Sequence, residues 1–499
     1  MIKQNRFFVL IFMFFVSVST LADDAVKCRY VLSGSLPIQY HGAGMQLVTE
    51  GQIEHTPAVF LLDTGAATTV LTRFGTDKRG LKKIPTVHAY SGVGGYARTF
   101  KVPLNHIQVG PIKSEQMGGM TEIDEFGRRP NYDALLGSDF LLTMDMEISL
   151  SEKRLKFFTP HNCSDTFLGY WNPGAVVVPL QFEPDFRRPM IDVVLNGVKM
   201  TALIDSGATV SVVSLAAAQR AGVTVGAMDD QKSSASGIGD KVVATQKATL
   251  HTFSVGDETI QNAALQIIDI KGRGMPDVVL GDDFLRSHRI LFAVSQKLVY
   301  LSYIGGPAFS KGNAQLWIEP EANAGNGYAQ YDMALTGLKS TDATVHGAAQ
   351  GWMDKAVVNR IPPALHYMAS QYESEKRYDE AIAALAQVLE LDSYDLDAQL
   401  EMYTTRIAAG MPEQASAGLK QALAQFKWPP WPAPVTQYYL GTTTLNELLH
   451  EAASDSDLAS RRRCDVYKYA GQLQAALGHP ETTQELKTKA DVECRIELH

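Results

Sequence analysis

The stretch "FLLDTGAATTV" (Phe60–Val70) places one carboxylate, Asp63, at the end of an apolar run and follows it closely with a glycine. A second stretch, "ALIDSGATVSVV" (Ala202–Val213), repeats the arrangement around Asp205. An isolated buried carboxylate loses several kcal/mol of hydration, so such a position is costly. The recurrence of so costly an arrangement indicates that the two acids serve a common purpose.

Both stretches belong to a tandem duplication, which is the most informative feature of the chain. Asp63 and Asp205 lie 142 residues apart, as do Leu36 and Val178. Four pairs of segments recur in the same order: "LPIQY" and "VPLQF", "DTGAATTV" and "DSGATVSVV", "SGVGG" and "SGIGD", and "DALLGSDFL" and "DVVLGDDFL". The first part of the chain therefore contains two homologous halves.

Each half is predicted to be rich in β-structure. "MIDVVLNGVKMTALID" contains two apolar strands joined at Asn196-Gly197, which is a strong hairpin signal. "VHAYSGVGGYARTFKV" predicts a second hairpin with glycines at its tip, and "DMEISLSEKRLKFF" and "ILFAVSQKLVYLSY" alternate apolar and polar positions as closing hairpins do. Helical signals are sparse in this part of the chain.

The order of these motifs resembles the retropepsin-like aspartic proteases. Each half carries apolar-apolar-Asp-Thr/Ser-Gly-Ala, then a glycine-tipped hairpin, then apolar-apolar-Gly, and the match runs from Leu36 to about Tyr303. The alanine after each glycine resembles the retroviral and bacterial branch, whereas two lobes in one chain resemble pepsin. The resemblance implies two all-β retropepsin-like lobes related by pseudo-twofold symmetry, and a protease that is active as a single chain.

The resemblance also implies a catalytic dyad made of Asp63 and Asp205. In this family, two carboxylates that share one proton activate a water molecule for peptide hydrolysis, because like charges so close together do not both ionise. This chemistry requires no metal and no cofactor. The residues expected to support the dyad are Thr64, Gly65, Ser206 and Gly207, whose hydroxyls would bond across the two loops and whose glycines would let backbone approach the carboxylates.

Two flaps are expected to cover a polypeptide substrate. The residues assigned to them and to substrate binding are Tyr90, Gly92, Val93, Gly94 and Gly95 in the first half and Gly237, Ile238 and Gly239 in the second, with Tyr96 as an alternative to Tyr90. Such folds also survive as inactive peptide-binding or scaffold proteins. Both interpretations, endopeptidase and binding protein, therefore stay open at this point.

The N-terminus and the composition restrict location and partners. Residues 1–22 combine Lys3 and Arg6, a short apolar run and small residues, which predicts a cleaved signal peptide, with a retained membrane anchor as the alternative. A cleaved signal peptide implies an exported protein, either periplasmic or secreted, that keeps no stable membrane anchor. The net charge of −9 argues against nucleic acid as a partner, since such partners usually require basic patches.

The four cysteines are expected to form disulfides, because an exported chain enters an oxidising compartment. Of the three possible pairings, the sequence favours Cys28–Cys163, which would tie the two ends of the first lobe. It also favours Cys464–Cys494, which would join two antiparallel helices. The cysteines do not have the spacing of a zinc site.

The C-terminal third changes character and resembles a tetratricopeptide repeat. Ala381, Leu385 and Leu389 recur one 34-residue period later as Ala415, Leu419 and Leu423. Such a stack can bind a protein partner or support the protease lobes, and the sequence does not choose between them. The predicted organisation is: signal peptide 1–22, first lobe 23–165, second lobe 166–305, linker 306–360 and an all-α tetratricopeptide-like domain 361–499.

Overall fold

A computed structural model describes residues 27–42, 44–115, 118–123, 132–183, 187–225, 233–235, 237–239, 243–269, 276–309, 315–425, 431–454 and 459–496. The predicted signal peptide, 1–22, lies outside the described residues. Two regions follow one another along the described chain: a β-rich region up to Tyr303 and a helical region after it.

The β-rich region contains short helices among many strands. The strands are β1 (Arg29–Pro37), β2 (Gln39–His41), β3 (Gln46–Ile53), β4 (Thr56–Leu62), β5 (Val70–Thr72), β6 (Ile84–Gly92), β7 (Gly95–Val102), β8 (His106–Val109), β9 (Ile112–Glu115), β10 (Met120–Ile123), β11 (Ala134–Leu136), β12 (Asp145–Ser149), β13 (Arg154–His161), β14 (Val176–Pro179), β15 (Gln181–Phe182), β16 (Pro189–Leu195), β17 (Val198–Ile204), β18 (Val212–Ser214), β19 (Ser233–Ala235), β20 (Val243–Val255), β21 (Glu258–Ile268), β22 (Val278–Leu280), β23 (His288–Ala293) and β24 (Leu298–Tyr303). The short helices are α1 (Arg73–Asp77), α2 (Ser138–Leu141), α3 (Leu215–Arg220) and α4 (Asp282–Ser287).

The helical region, α5–α15, is built mainly of antiparallel helix pairs. Its helices are α5 (Gln315–Asn323), α6 (Gly327–Leu338), α7 (Ala343–Val358), α8 (Pro362–Ser374), α9 (Tyr378–Leu391), α10 (Leu396–Ala408), α11 (Pro412–Gln425), α12 (Ala433–Tyr439), α13 (Leu445–Ala452), α14 (Ala459–Ala476) and α15 (Pro480–Ile496). The predicted 34-residue period is visible in the packing, since Ala381 and Leu385 on α9 and Ala415 and Leu419 on α11 are all buried.

One six-stranded sheet joins the two halves of the β-rich region. Its order is β1-β13-β12-β23-β24-β14, with three strands from each half. The central pair, β12 and β23, is antiparallel, and Ile148 lies opposite Ile290. The pseudo-twofold axis that relates the two halves therefore passes between these two strands.

Each half also has its own sheet, with the same crossing pattern near its acid. In the first half β11 pairs with β4 in parallel and with β5 antiparallel, and in the second half β22 pairs with β17 and β18 in the same way. The apolar runs of the two halves thus become short, fully enclosed strands, as expected where both faces of a strand are covered. The predicted fold class, two β-rich lobes followed by a helical repeat region, is confirmed.

Both predicted disulfides are present. Cys28 and Cys163 are joined with 4.6 Å between their Cα atoms, which ties the start of β1 to the segment after β13. Cys464 on α14 and Cys494 on α15 are joined with 5.2 Å between their Cα atoms. Among the described residues, no helix combines the length and apolarity that a membrane span requires.

The linker predicted over 306–360 is wrong in its described part, because α5, α6 and α7 occupy most of it. The Gly- and Asn-rich stretch that predicted an irregular linker lies at the helix ends: the Asn326 side chain accepts a hydrogen bond from Ala329 N–H and caps α6. Ile318 and Ala322 on α5 are buried in the same apolar core as both β-lobes. The linker prediction followed the glycines and asparagines of this stretch and overlooked the helices between them.

Candidate active site

The two duplicated acids occupy equivalent positions at the ends of strands. Asp63 follows β4 and donates its backbone N–H to Leu136 O of β11 at 3.0 Å, and Asp205 follows β17 and donates to Leu280 O of β22 at 2.9 Å. Both aspartates are half-buried, so each lies largely within protein but keeps a solvent-accessible surface. The apolar strands thus deliver two carboxyl groups to one position at the seam between the lobes.

The two loops approach each other so closely that only glycine fits beside each acid. A Cβ atom added to Gly65 would lie 2.2 Å from Cγ of Asp205, and one added to Gly207 would lie 2.4 Å from Cγ of Asp63. The two carboxyl groups also hydrogen-bond each other across the seam. Acids that are 142 residues apart in the sequence are therefore in direct contact.

Reciprocal hydrogen bonds lock the two loops together. The Thr64 hydroxyl donates to Ile204 O at 2.7 Å, and the Ser206 hydroxyl donates to Leu62 O at 2.9 Å. Each hydroxyl also accepts a backbone N–H from the other loop, at 3.0 Å for Thr64 Oγ1 and 3.1 Å for Ser206 Oγ. All four bonds are buried and cross between the lobes, so they hold the dyad geometry rather than the fold of either lobe.

The electrostatics of the pair differ between its members. Burial and then the neighbouring Asp205 charge raise the pKa of Asp63 well above its usual value, and burial also raises the pKa of Asp205. Backbone amides oppose these shifts: Ala66 N–H donates to Asp63 Oδ1 and Gly207 N–H donates to Asp205 Oδ1, both at 2.8 Å. Because the two carboxyls are buried together and hydrogen-bond each other, they titrate as one pair that shares a proton.

A second pair of acids, which the sequence reasoning did not assign to the site, braces the dyad loops. Asp139 Oδ1 accepts from both the backbone N–H and the hydroxyl of Thr69, at 2.8 and 2.7 Å. Asp283 Oδ1 accepts from the same two groups of Ser211, at 2.8 and 2.5 Å. The signal that could have found these braces is their recurrence, because a hydroxyl residue stands six positions after each dyad acid.

The two flap segments meet at their tips. Gly94 N–H, at the tip of the β6–β7 hairpin, donates to Ile238 O at 2.8 Å, and Gly94 pairs with Gly239 as an isolated β-bridge. A Cβ atom on Gly92 would lie 2.5 Å from Cβ of Ile238, and one on Gly239 would lie 2.3 Å from the carbonyl carbon of Gly94. The remaining predicted flap residues lie at the same junction: Val93, Gly95 and Gly237. Neighbouring Ser236 and Asp240 lie outside the described residues.

Of the two candidate tyrosines, only Tyr90 faces the dyad. It is half-buried, its hydroxyl is hydrogen-bonded by the backbone of Thr68, and burial followed by the Asp63 charge raises its pKa. Tyr96, by contrast, is 75% exposed. Arg188, which the sequence reasoning missed, lies close enough to lower the pKa of Asp205, and its guanidinium is bound by Glu183 Oε2. No short motif marks this arginine in the sequence.

Two lobes related by a pseudo-twofold axis, with one acid from each at the seam, are typical of the acid proteases. Comparison with known proteins agrees with this assignment. Residues 49–140 match a family model described as aspartyl protease, and residues 191–287 match one described as gag-polyprotein putative aspartyl protease. Residues 373–428 match a tetratricopeptide repeat model. The chain therefore carries matches to two aspartyl protease family models in its β-rich region and to a tetratricopeptide repeat model in its helical region.

Among solved structures, the chain is similar to a crystal structure of aspartic proteinase from Irpex lacteus. That match has 13% sequence identity and a TM-score of 0.36, and it covers 56% of this chain and 99% of the other. A search of curated protein sequences finds no match to this chain.

Proposed function

We propose that the protein is an aspartic endopeptidase whose dyad is Asp63 and Asp205. The observation that carries the proposal is the contact between these two carboxyl groups, which come from different lobes and hydrogen-bond each other at the seam. Both family matches and the duplicated flaps support the same assignment.

In the proposed reaction the two acids act differently. The ionised member of the pair takes a proton from a water molecule held between the carboxyls, and the resulting hydroxide attacks the carbonyl carbon of the scissile bond. The protonated member donates its proton to the carbonyl oxygen, which gives a tetrahedral diol, and a further proton transfer to the amide nitrogen breaks the C–N bond and releases the two products. The hydrogen-bonded loops supply the positioning that this chemistry needs.

The proposed substrate is a polypeptide that lies between the dyad and the flap tips. Because Gly94 contacts Ile238 directly, the flaps must separate before a chain can enter. The tetratricopeptide repeat indicates a protein-interaction role for the helical region, and we propose that this region recruits a substrate or partner protein. The two disulfides support the proposal that the protein is exported, either to the periplasm or out of the cell. We also propose the domain boundaries given under the sequence analysis, apart from the linker.

The test is cleavage of a reduced and alkylated unfolded protein across acidic to neutral pH. Asp63→Asn and Asp205→Asn should each abolish cleavage, because either change removes one member of the proton-sharing pair. Asp192→Asn is the matched control, since Asp192 is a partly exposed acid on β16 that pairs with Lys199 at 2.9 Å. Cleavage that persists in both dyad variants would belong to a contaminant and would refute the proposal.

The alternative function is peptide binding without hydrolysis, with the same groove and the helical region as a scaffold. It predicts that the wild-type protein binds unfolded polypeptide and leaves it intact at every pH. Binding with no products after prolonged incubation would favour this alternative over the enzyme.

A further inference from the structure

Helix α5 contacts both lobes at their junction. The Trp317 ring lies 5.5 Å from the ring of Tyr40 in the first lobe and 3.4 Å from the guanidinium of Arg286 in the second. An ion pair of 2.6 Å between Glu321 Oε2 and Lys153 Nζ adds a second contact with the first lobe. The helical region is thus attached across the seam on which the dyad depends.

Arg286 connects this helix to a buried acid. Its Nη2 lies 3.9 Å from Oδ2 of Asp282, one turn earlier on α4, and Asp282 is 1% exposed. Among the described residues, neither carboxylate oxygen of Asp282 has a hydrogen-bond partner, and neither do Nε and Nη2 of Arg286. A guanidinium stays charged in proteins, so this enclosed cation is stabilised by Asp282, by a hydrogen bond with the Tyr40 hydroxyl and by the face of Trp317.

A single residue, Ala208, links Asp282 to the dyad. Its backbone N–H donates to Ala208 O at 2.7 Å, and the Ala208 N–H in turn hydrogen-bonds the Asp205 carboxylate. A short path of contacts therefore runs from Trp317 through Arg286, Asp282 and Ala208 to Asp205. Tight packing transmits displacements along such a path, because buried groups have little room to relax.

The first lobe lacks this path, although it has the same loop. The residues that correspond to Asp282 and Arg286 are Ser138 and Leu142, and Ser138 N–H still donates to Ala66 O at 2.8 Å. The loop can therefore form without a charged pair such as Asp282 and Arg286. It occurs in the lobe whose Arg286 is covered by Trp317 of the helical region.

We propose that Trp317 is a positioning residue for the dyad: by holding Arg286 against Asp282, it fixes the loop that carries Asp205. The helical region is then part of the catalytic unit as well as a site for partner proteins. This inference rests on the proposed endopeptidase function, and it adds a residue that lies outside both protease lobes.

The test compares Trp317→Ala with Trp317→Phe and with a matched control. Trp171→Ala removes a similar stack, since Arg289 lies 4.8 Å from the Trp171 ring and Trp171 packs against a different apolar cluster from Trp317. We expect Trp317→Ala to lower kcat by at least about 10-fold, with KM within about twofold, because the substrate-binding surfaces are untouched. Trp317→Phe should recover most of the loss, because phenylalanine keeps an aromatic face for the guanidinium.

Equal effects of Trp317→Ala and Trp171→Ala on kcat would overturn the inference, since a loss of general stability would then explain both. If the wild-type protein does not cleave, the proposed function fails, and a measurement without activity decides the inference. A double-mutant cycle of Trp317→Ala and Asp205→Asn in thermal unfolding should then deviate from additivity by about 2 °C or more. Additive shifts would overturn the coupling between the helix and the dyad.

Discussion

Gly65→Ala should separate the dyad while leaving each lobe folded. The new methyl group would lie 2.2 Å from Cγ of Asp205, whereas ordinary van der Waals contact begins at 3.4 Å. Relief therefore requires the Asp205 carboxyl group, or the loop that carries it, to move by about 1.2 Å, the difference between those two distances. A misplacement of about 1 Å at a reacting centre costs on the order of 100-fold in rate, so we expect kcat to fall by about that factor.

The assay is the pH-dependent cleavage of an unfolded protein, measured as kcat and KM beside the unfolding midpoint. Gly347→Ala on α7 is the matched control, because no atom lies within 4 Å of the position its new methyl group would occupy. It should leave kcat unchanged and raise stability slightly, since alanine is the better helix former. A Gly65→Ala protein with kcat within twofold of wild type would refute the geometry of the seam.

Other changes test the cross-lobe bonds, the helical region and its disulfide. Thr64→Val combined with Ser206→Ala removes the reciprocal hydroxyl bonds, and we expect a loss of about 2–4 kcal/mol in urea unfolding together with loss of cleavage; unchanged stability would contradict this. Two carboxylates raise the pKa of His366 to about 10 despite its burial, so their stabilising effect is complete below the unfolded value of about 6.5 and disappears as pH rises through about 10. The midpoint difference between wild type and His366→Gln should therefore shrink over that range, and a constant difference would contradict the ion pair. Replacing Cys464 and Cys494 by alanine should cost about 2–4 kcal/mol in the helical region without changing kcat, and a fall in kcat would contradict this.

Repetition made the site predictable from the sequence. The acids, their hydroxyl and glycine neighbours and the flap tips each occur twice, so a weak motif became a strong one through its second copy. The disulfide pairings could also be predicted from the sequence, because each cysteine lies near the end of a predicted lobe or helix. The helices within 306–360 were not predicted, because the glycines and asparagines at their ends indicated an irregular segment.

The sequence by itself determined that the chain contains two copies of one acid-bearing β-lobe and a helical repeat, because strand alternation, hairpin turns and repeat periods are local properties. Only the tertiary structure decided how these parts act on one another. It placed Gly65 against Asp205 and brought Trp317 into contact with Tyr40 and Arg286. It also placed Tyr90, and not the exposed Tyr96, beside the dyad. Such contacts join residues far apart in the chain, and they depend on the packing of whole surfaces, which no short stretch of sequence encodes.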